Sequence, residues 1–310
     1  MLAYIARRFG SLLLTMFVLS IVIFALMHSV PGGPFSFSKQ PLPPFAMENI
    51  NHKYGLDKPI WQQYLSWLWA ALHGDFGIPF ESPTETVTSL IARAWPITIR
   101  VGLLTITLAY VFGLFFGIVA AIRQNTWLDS AMTFFATLGI ALPNFVIGFL
   151  LIEIFAVQLQ WLPTGGCCST KQFIMPVIAY MLAPMAGVAR YTRTSMLEVM
   201  RTEYVTMGRA RGLPEWRIVR RYVLRTALIP LITILGPAIP DVLTGSIFIE
   251  STFALPGLGS YFTSASLQRD YPMIMALVVM VCVLWGTLYV LSDVAYTLVD
   301  PRVRLEGLQR

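Results

Sequence analysis

Apolar residues fall in six long stretches along this chain, separated by segments that hold most of its charged residues. The hydrocarbon core of a bilayer is about 30 Å thick, so a helix of about 20 apolar residues can cross it. The stretches therefore predict an all-α, polytopic membrane protein with six transmembrane helices. The fourth stretch is the shortest, holds two prolines, and has an end near Arg190 that we leave open. The predicted spans are residues 9–30, 101–122, 131–158, 173–189, 227–249 and 272–292.

The first apolar stretch has some features of a signal peptide, because Arg7 and Arg8 precede it. Its apolar run of about 22 residues is longer than the apolar part of a typical cleaved signal. No small-residue cleavage pattern follows it. We therefore expect residues 1–30 to remain as an N-terminal signal-anchor span. The remaining chain is then predicted to form an extracytoplasmic loop (31–96), a transmembrane core with the other five spans (97–300) and a cytoplasmic tail (301–310).

Positive charge is concentrated in alternate connections between the predicted spans. Residues 190–225, between the fourth and fifth spans, hold nine arginines and three glutamates, whereas residues 32–96 hold four basic and five acidic residues. Cytoplasmic loops of membrane proteins carry an excess of lysine and arginine. The charge asymmetry predicts a multi-pass protein of the inner (plasma) membrane whose N-terminus, C-terminus and arginine-rich loop all face the cytoplasm.

Composition supports the membrane assignment and argues against several functional classes. Hydrophobic residues make up 56% of the chain, and charged residues make up only 12%. The net charge of +6 does not indicate a nucleic-acid partner, because the arginines lie between membrane spans. The three cysteines and three histidines form no metal-ligand, disulfide or catalytic pattern, and the chain has no Gly-x-x-x-x-Gly-Lys-Ser/Thr loop. We therefore expect a non-catalytic protein without a metal or cofactor of its own.

The arginine-rich loop has a regular internal pattern. Its sequence is compatible with a helix of about a dozen residues that ends at Gly212 and Pro214, followed by a second helix from Glu215 into the fifth span. Three interpretations are open: a solvated loop whose charges only set the topology, a contact with lipid headgroups, or a protruding helix that docks into another protein. The helix-ending signals favour the docking helix.

Motifs along the whole chain resemble those of one transporter family. The stretches 210–214 and 221–230 are similar to the cytoplasmic loop of oligopeptide and dipeptide ABC importer permeases, and most specifically of the B-type subunit. In the wider ABC importer family a Glu-Ala-Ala triplet precedes the loop glycine, whereas this chain has Thr206, Met207 and Gly208 there. Shorter matches occur in order at Ala6-Arg7-Arg8, Gly74-Asp75-Phe76-Gly77, Gln124-Asn125-Thr126, Trp161-Leu162-Pro163, Thr244-Gly245-Ser246, Leu255-Pro256-Gly257-Leu258-Gly259, Arg269-Asp270-Tyr271 and Asp300-Pro301-Arg302.

This resemblance implies a type I ABC importer transmembrane fold, with a cytoplasmic coupling helix between the fourth and fifth spans. The chain is then expected to form half of a pathway for oligopeptides. Dipeptides or a metal chelate such as nickel are alternative cargoes. A secondary transporter is the more remote functional alternative. The implied partners are a second, C-type permease subunit, two cytoplasmic ATPases that bind ATP and magnesium, and an extracytoplasmic peptide-binding protein. The residues implied to contact the ATPase are Glu203, Tyr204, Gly208, Arg211, Gly212 and Leu213.

Two acidic residues and a glycine-rich turn complete the candidate site. Charged residues within membrane spans are costly and are associated with function. Asp241 lies in the predicted fifth span and Glu250 at its outer end. Both are therefore predicted to lie along the substrate path or at a subunit contact, with an internal hydrogen-bonded role as the alternative. Beyond them, the sequence around Pro256, Gly257 and Gly259 predicts a tight turn, which we interpret as an outer gate or scaffold.

Overall fold

The computed structural model describes residues 2–29, 55–80, 84–167, 169–228 and 238–299, and within these ranges it contains helices and no strand. Two of the helices, Asn144–Leu151 and Glu215–Ile218, continue into π-helical segments, Ile152–Gln158 and Val219–Val223 respectively. The helices in chain order are α1 (Leu2–Ser29), α2 (Ile60–Leu72), α3 (Val87–Ile122), α4 (Trp127–Ala141), α5 (Asn144–Leu151), α6 (Thr170–Met200), α7 (Glu203–Ala210), α8 (Glu215–Ile218), α9 (Ala238–Leu243), α10 (Ile247–Thr252), α11 (Leu258–Gln268) and α12 (Tyr271–Val299). The all-α fold class is confirmed.

Apolar length identifies four or five membrane spans among the described residues. Four single helices qualify, and α4 with α5 forms a bent pair that also qualifies when it is taken as one span. The predicted fifth span, 227–249, falls partly on residues 229–237, which lie outside the described ranges. The four single helices that qualify are Arg8–Ser29, Val87–Ile122, Thr170–Met200 and Tyr271–Leu291.

The predicted third span is bent, so the expectation of one continuous helix over 131–158 is wrong. α4 meets α5 and its π-helical continuation at 103°. Leu142, between them, has extended backbone (φ −86°, ψ 128°), and Pro143 follows it. Proline disfavours helical backbone in the preceding residue and lacks an N–H to continue the hydrogen-bond ladder. The Leu142-Pro143 step therefore accounts for the bend.

Two other helices extend beyond the spans predicted from apolar length. α3 begins at Val87 and contains Pro96, which the prediction assigned to the preceding loop. α6 continues past Arg190 to Met200 and contains Pro176 and Pro184. The length of an apolar stretch locates only the part of a helix that lipid can surround, so it does not predict polar or amphipathic extensions of that helix.

The first of two compact units comprises Met1–Ile97 and Pro256–Thr287. The hydroxyl of Tyr271, at the start of α12, donates a hydrogen bond to the carbonyl of Met27 at 3.0 Å. The core of this unit also contains buried residues of α11 and α12, such as Leu258 and Leu277. From α3 the core receives four residues at helical spacing: Val87, Leu90, Ile91 and Ala94.

The second unit comprises Thr98–Leu255 and Leu288–Arg310. Within it α3 and α6 approach closely at two glycines, Gly113 and Gly117. A Cβ added to Gly113 would lie 2.7 Å from the carbonyl oxygen of Met185, and one added to Gly117 would lie 2.5 Å from the Cβ of Thr192. Small residues four apart let membrane helices pack at short distance. This contact places α6, and therefore the loop that follows it, against α3.

Candidate functional site

The short helix α7 is the centre of the arginine-rich loop and begins at a clear break in the chain. α6 ends at Met200, and Thr202 has extended backbone (φ −73°, ψ 154°). The Thr202 hydroxyl donates to the carbonyl of Val199 at 2.6 Å, which satisfies an end group of α6. α7 then starts at Glu203, whose negative charge suits a helix N-terminus. The break makes α7 eight residues long, shorter than the predicted dozen.

The other end of α7 is closed by a Schellman motif, in which a left-handed residue folds the chain back onto the last turn. Gly212 has φ +74°. Its N–H donates to the carbonyl of Arg209 at 2.9 Å, and the N–H of Leu213 donates to the carbonyl of Gly208 at 3.3 Å. These are the two hydrogen bonds that define the motif. Pro214 then precedes α8, so the predicted helix, sharp turn and second helix from Glu215 are confirmed.

One face of α7 is buried against the ends of the long helices. Val205 is fully buried, Gly208 is buried, and Ile218 of α8 is fully buried beside them. These residues belong to a hydrophobic cluster that we call the loop core. Its buried members come from α3, α6, α7 and the helical segments after Pro214: Ala121, Met196, Val199, Val205, Ile218, Val223 and Ala227. The loop core gives α7 a fixed position on α3 and α6.

The opposite face of α7 is exposed and mixes apolar with charged groups. Tyr204 is 43% exposed and Met207 is 55% exposed, although both are large apolar side chains. Glu203, Arg211 and Gly212 are also exposed. Large exposed apolar side chains flanked by charges are typical of a surface that binds another protein. Of the predicted contact residues, Glu203, Tyr204, Arg211 and Gly212 are therefore accessible, whereas Gly208 is buried and Leu213 is half-buried.

Two charged residues tie α7 to α8. The Arg209 Nε donates to a carboxylate oxygen of Glu215 at 2.7 Å. Both side chains are substantially exposed, so this ion pair contributes well under about 1 kcal/mol. Arg211 has no ion pair with any described residue. Its guanidinium group can therefore offer two parallel N–H donors to a carboxylate of a partner.

Asp241, in the predicted fifth span, and Glu250, at its outer end, occupy different environments. Glu250 is 1% exposed and accepts a hydrogen bond from the Thr98 hydroxyl at 2.9 Å. The α-carbon of Gly245 lies so near that an added Cβ would be 2.6 Å from the Glu250 Oε1, and Gly245 has φ +88°. Asp241 is exposed, and its backbone carbonyl accepts a hydrogen bond from the Tyr180 hydroxyl at 3.2 Å. The structure thus does not bring the two carboxylates to one accessible surface.

The segment with Pro256, Gly257 and Gly259 links α10 to α11. Ala254, just before it, has left-handed backbone with φ 47°. Gly257 caps the N-terminus of α11, and its carbonyl accepts a hydrogen bond from the Ser260 hydroxyl at 2.9 Å. Gly259 is buried in the first turn of α11. The local geometry is a turn that leads into a helix, whereas a role as a gate or scaffold stays a prediction.

An ion pair between α4 and α6 was missed by sequence reasoning. Arg193 donates two hydrogen bonds to the carboxylate of Asp129, at 2.6 and 2.8 Å. Asp129 is buried and also accepts from the backbone N–H of Asn125 at 3.0 Å, and Asn125 has left-handed backbone with φ 62°. An Asn in a tight turn four residues before an Asp was the available signal. The pair fixes the start of α4 on α6, the helix that leads into α7.

Comparison with known proteins identifies the wider relationships of the chain. Residues 113–305 match the family model described as "Binding-protein-dependent transport system inner membrane component", and residues 1–104 match the model for its N-terminal region. The chain is 39% identical over 306 residues to the oligopeptide transport system permease protein OppB of Salmonella typhimurium, an alignment that covers 98% of this chain and 100% of OppB. It is also 39% identical over 305 residues to the dipeptide transport system permease protein DppB of Lactococcus lactis subsp. cremoris, with 98% and 100% covered.

Solved structures share the fold. A chain of the MetNI methionine ABC transporter, in an inward-facing conformation, aligns with a TM-score of 0.57 and 18% identity, over 68% of this chain and 96% of that one. A chain of an amino acid ABC transporter aligns with a TM-score of 0.55 and 17% identity, over 67% and 94%. At these identities the likeness shows a common fold.

Proposed function

The chain belongs to the family of binding-protein-dependent transport system inner membrane components, as a multi-pass permease subunit with the type I ABC importer fold, and on that premise we propose its cargo, partners and orientation. Oligopeptides are the proposed cargo, and the chain supplies half of their pathway. The full-length identity to OppB supports this proposal. DppB is equally identical, so dipeptides are the second candidate.

The description of the family and the arginine-rich loop that holds α7 support a set of proposed partners. A second, C-type permease subunit completes the pathway, an extracytoplasmic peptide-binding protein delivers the peptide, and two ATPases bind ATP and magnesium. The chain itself contributes no catalytic group, metal or cofactor site. The proposed orientation places both termini and α7 in the cytoplasm, where the ATPases lie; the nine arginines between residues 190 and 225 support it.

The observation that carries the coupling role is the way α7 is held. Both of its ends are closed by defined turns, and its buried face belongs to the loop core together with Ala121 of α3 and Met196 of α6. Tightly packed interiors transmit displacement because they have few voids to absorb it. When ATP binding draws the ATPases together, a force on Tyr204 and Met207 therefore moves the ends of α3 and α6. ATP binding then shifts the population between inward-open and outward-open states.

The two carboxylates are assigned different roles in this proposal. Asp241 is exposed and lies on the substrate path or the contact with the second permease, where a negative charge attracts the amino terminus of a peptide. Glu250 supports that path from within, because its carboxylate is buried against Thr98 and Gly245. The turn at Pro256, Gly257 and Gly259 is proposed to lie at the outer end of the path.

The coupling role is tested by removing the exposed side chains of α7 in the complete importer. Met207→Ala and Tyr204→Ala are expected to weaken ATPase binding about tenfold each, as for central interface residues. Both side chains are exposed in the permease, so its own folding is retained. Leu267→Ala is the matched control, since Leu267 is 76% exposed but lies in α11.

The measurements are co-purification of the ATPases and peptide-stimulated ATP hydrolysis in proteoliposomes that contain the binding protein. Normal assembly and normal stimulation of both α7 variants would refute the coupling role. Cargo is tested separately by competition between dipeptides and longer peptides for uptake. Preference for a free amino acid or a metal chelate would refute the peptide assignment.

A further inference from the structure

A cleft rich in arginine lies on the helical segment that follows α7. It has a volume of about 410 Å³ and is lined by Trp216, Arg217, Arg220, Arg221 and Arg225, which we call the arginine cleft. The Arg217 guanidinium lies over the Trp216 ring, 5.6 Å from its centroid. Four arginines and one tryptophan thus line one open depression on the surface, which is an arrangement suited to an anion with an apolar portion.

The charges of the arginine cleft are not neutralised within the described chain. Arg217, Arg220, Arg221 and Arg225 are all exposed, and in the described part of the loop none forms an ion pair with a carboxylate. Like charges held close together repel, so an anion that enters the cleft gains attraction from several groups at once. An arginine that serves only to set topology needs no such clustering.

The arginines lie on the outer face of an amphipathic helix. Ile218, Val223 and Ala227 form its opposite face and are buried in the loop core. Hydrophobic packing therefore orients the segment and leaves the guanidinium groups on the side away from the protein interior. The exposed Trp216 ring lies among them, and tryptophan is enriched at the level of lipid headgroups.

The distance from the arginines of the cleft to the predicted fifth span is comparable to the depth of the lipid headgroup layer. The predicted fifth span begins at Ala227, and a helix rises about 1.5 Å per residue. Arg225, Arg221 and Arg220 therefore lie between about 3 and 10 Å before the span. The headgroup layer is about 5–7 Å deep on each side of the hydrocarbon core, and long arginine side chains reach along the helix to it.

We propose that the arginine cleft binds the phosphate of an anionic glycerophospholipid of the cytoplasmic leaflet. Guanidinium groups form paired hydrogen bonds with phosphate oxygens, and the acyl chains of the lipid extend from the phosphate toward the fifth span. The bound lipid anchors the segment between α7 and the fifth span at a constant depth. The choice of the cytoplasmic leaflet rests on the proposed function, whereas lipid binding itself does not require transport.

The test measures lipid retention by the purified complete importer. Phosphatidylglycerol that carries a photoreactive headgroup is incorporated into nanodiscs of phosphatidylcholine, and cross-links to wild-type protein are mapped. Cross-links are expected within residues 216–225. Retention is then compared by native mass spectrometry for the triple variant Arg220→Gln, Arg221→Gln, Arg225→Gln. Each arginine near an anionic surface contributes about fivefold, so the triple variant is expected to bind about a hundredfold more weakly.

Three controls separate specific binding in the cleft from a general attraction of the loop to negative charge. Arg201→Gln removes an exposed arginine of the same loop outside the cleft and is expected to retain the lipid. The triple lysine variant keeps the charge, and therefore the topology, but loses the paired geometry; partial retention is expected. Inorganic phosphate at millimolar concentration is expected not to displace the lipid, since it lacks the apolar portion.

Four results would overturn the proposal. These are cross-links that map elsewhere, equal lipid loss in Arg201→Gln, full retention by the triple glutamine variant, and displacement of the lipid by phosphate alone. Full retention combined with loss of the ATPases would assign the arginines to a protein contact. A failed transport assay with normal lipid retention would count against the proposed function and leave the lipid site intact.

Discussion

Replacement of Gly212 with alanine tests the backbone geometry that ends α7, because nothing else around this residue changes. No heavy atom of the described residues lies within 4 Å of an added Cβ, so the substitution introduces no clash with them. The remaining cost is conformational, since Gly212 has φ +74° and an L-residue pays about 1–2 kcal/mol in left-handed backbone. This cost acts on the turn that supplies the hydrogen bonds from Gly212 to Arg209 and from Leu213 to Gly208.

The conformational cost of Gly212→Ala changes the equilibrium constant for local opening of α7. A free-energy difference of about 1–2 kcal/mol corresponds to about a five- to thirtyfold shift in an equilibrium constant. Amide hydrogens that exchange through local opening respond in the same proportion. Exchange over residues 203–213 is therefore expected to accelerate about five- to thirtyfold in the Gly212→Ala variant.

Gly208→Ala provides a control of opposite sign four residues earlier. An added Cβ at Gly208 would lie 3.8 Å from the Cδ1 atoms of Ile218 and Leu213, which is ordinary contact distance. Gly208 lies within α7, and alanine is favoured over glycine in a helix by about 1 kcal/mol. Exchange is therefore expected to slow about fivefold.

The assay is hydrogen exchange with mass spectrometric detection on the assembled importer in nanodiscs, followed by peptide uptake and ATP hydrolysis on the same samples. Gly212→Ala is expected to lower the number of peptides transported per ATP, because a frayed α7 transmits less motion. Equal exchange rates in the two variants, or slower exchange in Gly212→Ala, would refute the argument from backbone geometry.

Two further substitutions address the packing that supports the site. Asp129→Asn leaves the Arg193 guanidinium without its carboxylate and is expected to lower the free energy of unfolding by about 2 kcal/mol. The loss should appear as a lower thermal midpoint of the purified complex. An unchanged midpoint would contradict a stabilising role of the ion pair. Gly165→Ala would bring a Cβ into a steric clash with the Phe253 carbonyl oxygen and is expected to reduce the yield of folded protein on size-exclusion chromatography. At Gly187 an added Cβ would meet no atom of the described part of the chain within 4 Å, so Gly187→Ala should leave that yield unchanged. Equal losses in both variants would show that the close contact is not responsible.

The sequence predicted much of the arginine-rich loop, because its signals are local. A glycine followed by a proline stops a helix whatever surrounds it, and Gly212 and Pro214 do so here. The break before α7 was missed although Thr202 and Glu203 form a local pattern for a helix start. The bend at Leu142-Pro143 also had a local signal, but apolar length alone does not register it.

Contacts between distant residues could not be predicted in the same way. Asp129 and Arg193 are 64 positions apart, and Thr98 and Glu250 are 152 apart. No local pattern states which residues meet across such distances, because pairing depends on how the helices pack. The sequence suggested the same role for Asp241 and Glu250, whereas packing exposes the first and buries the second.

The sequence by itself determined that the chain crosses a membrane, and it located the candidate docking helix between two spans. These properties depend on apolar length, charge distribution and short-range backbone preferences, which neighbouring residues set. Tertiary structure decided which face of α7 is free: Val205 is buried in the loop core, whereas Tyr204 and Met207 remain exposed. It also decided that Arg220, Arg221 and Arg225 share one cleft. Burial is a property of helices packed against each other, so it appears only once the chain is folded.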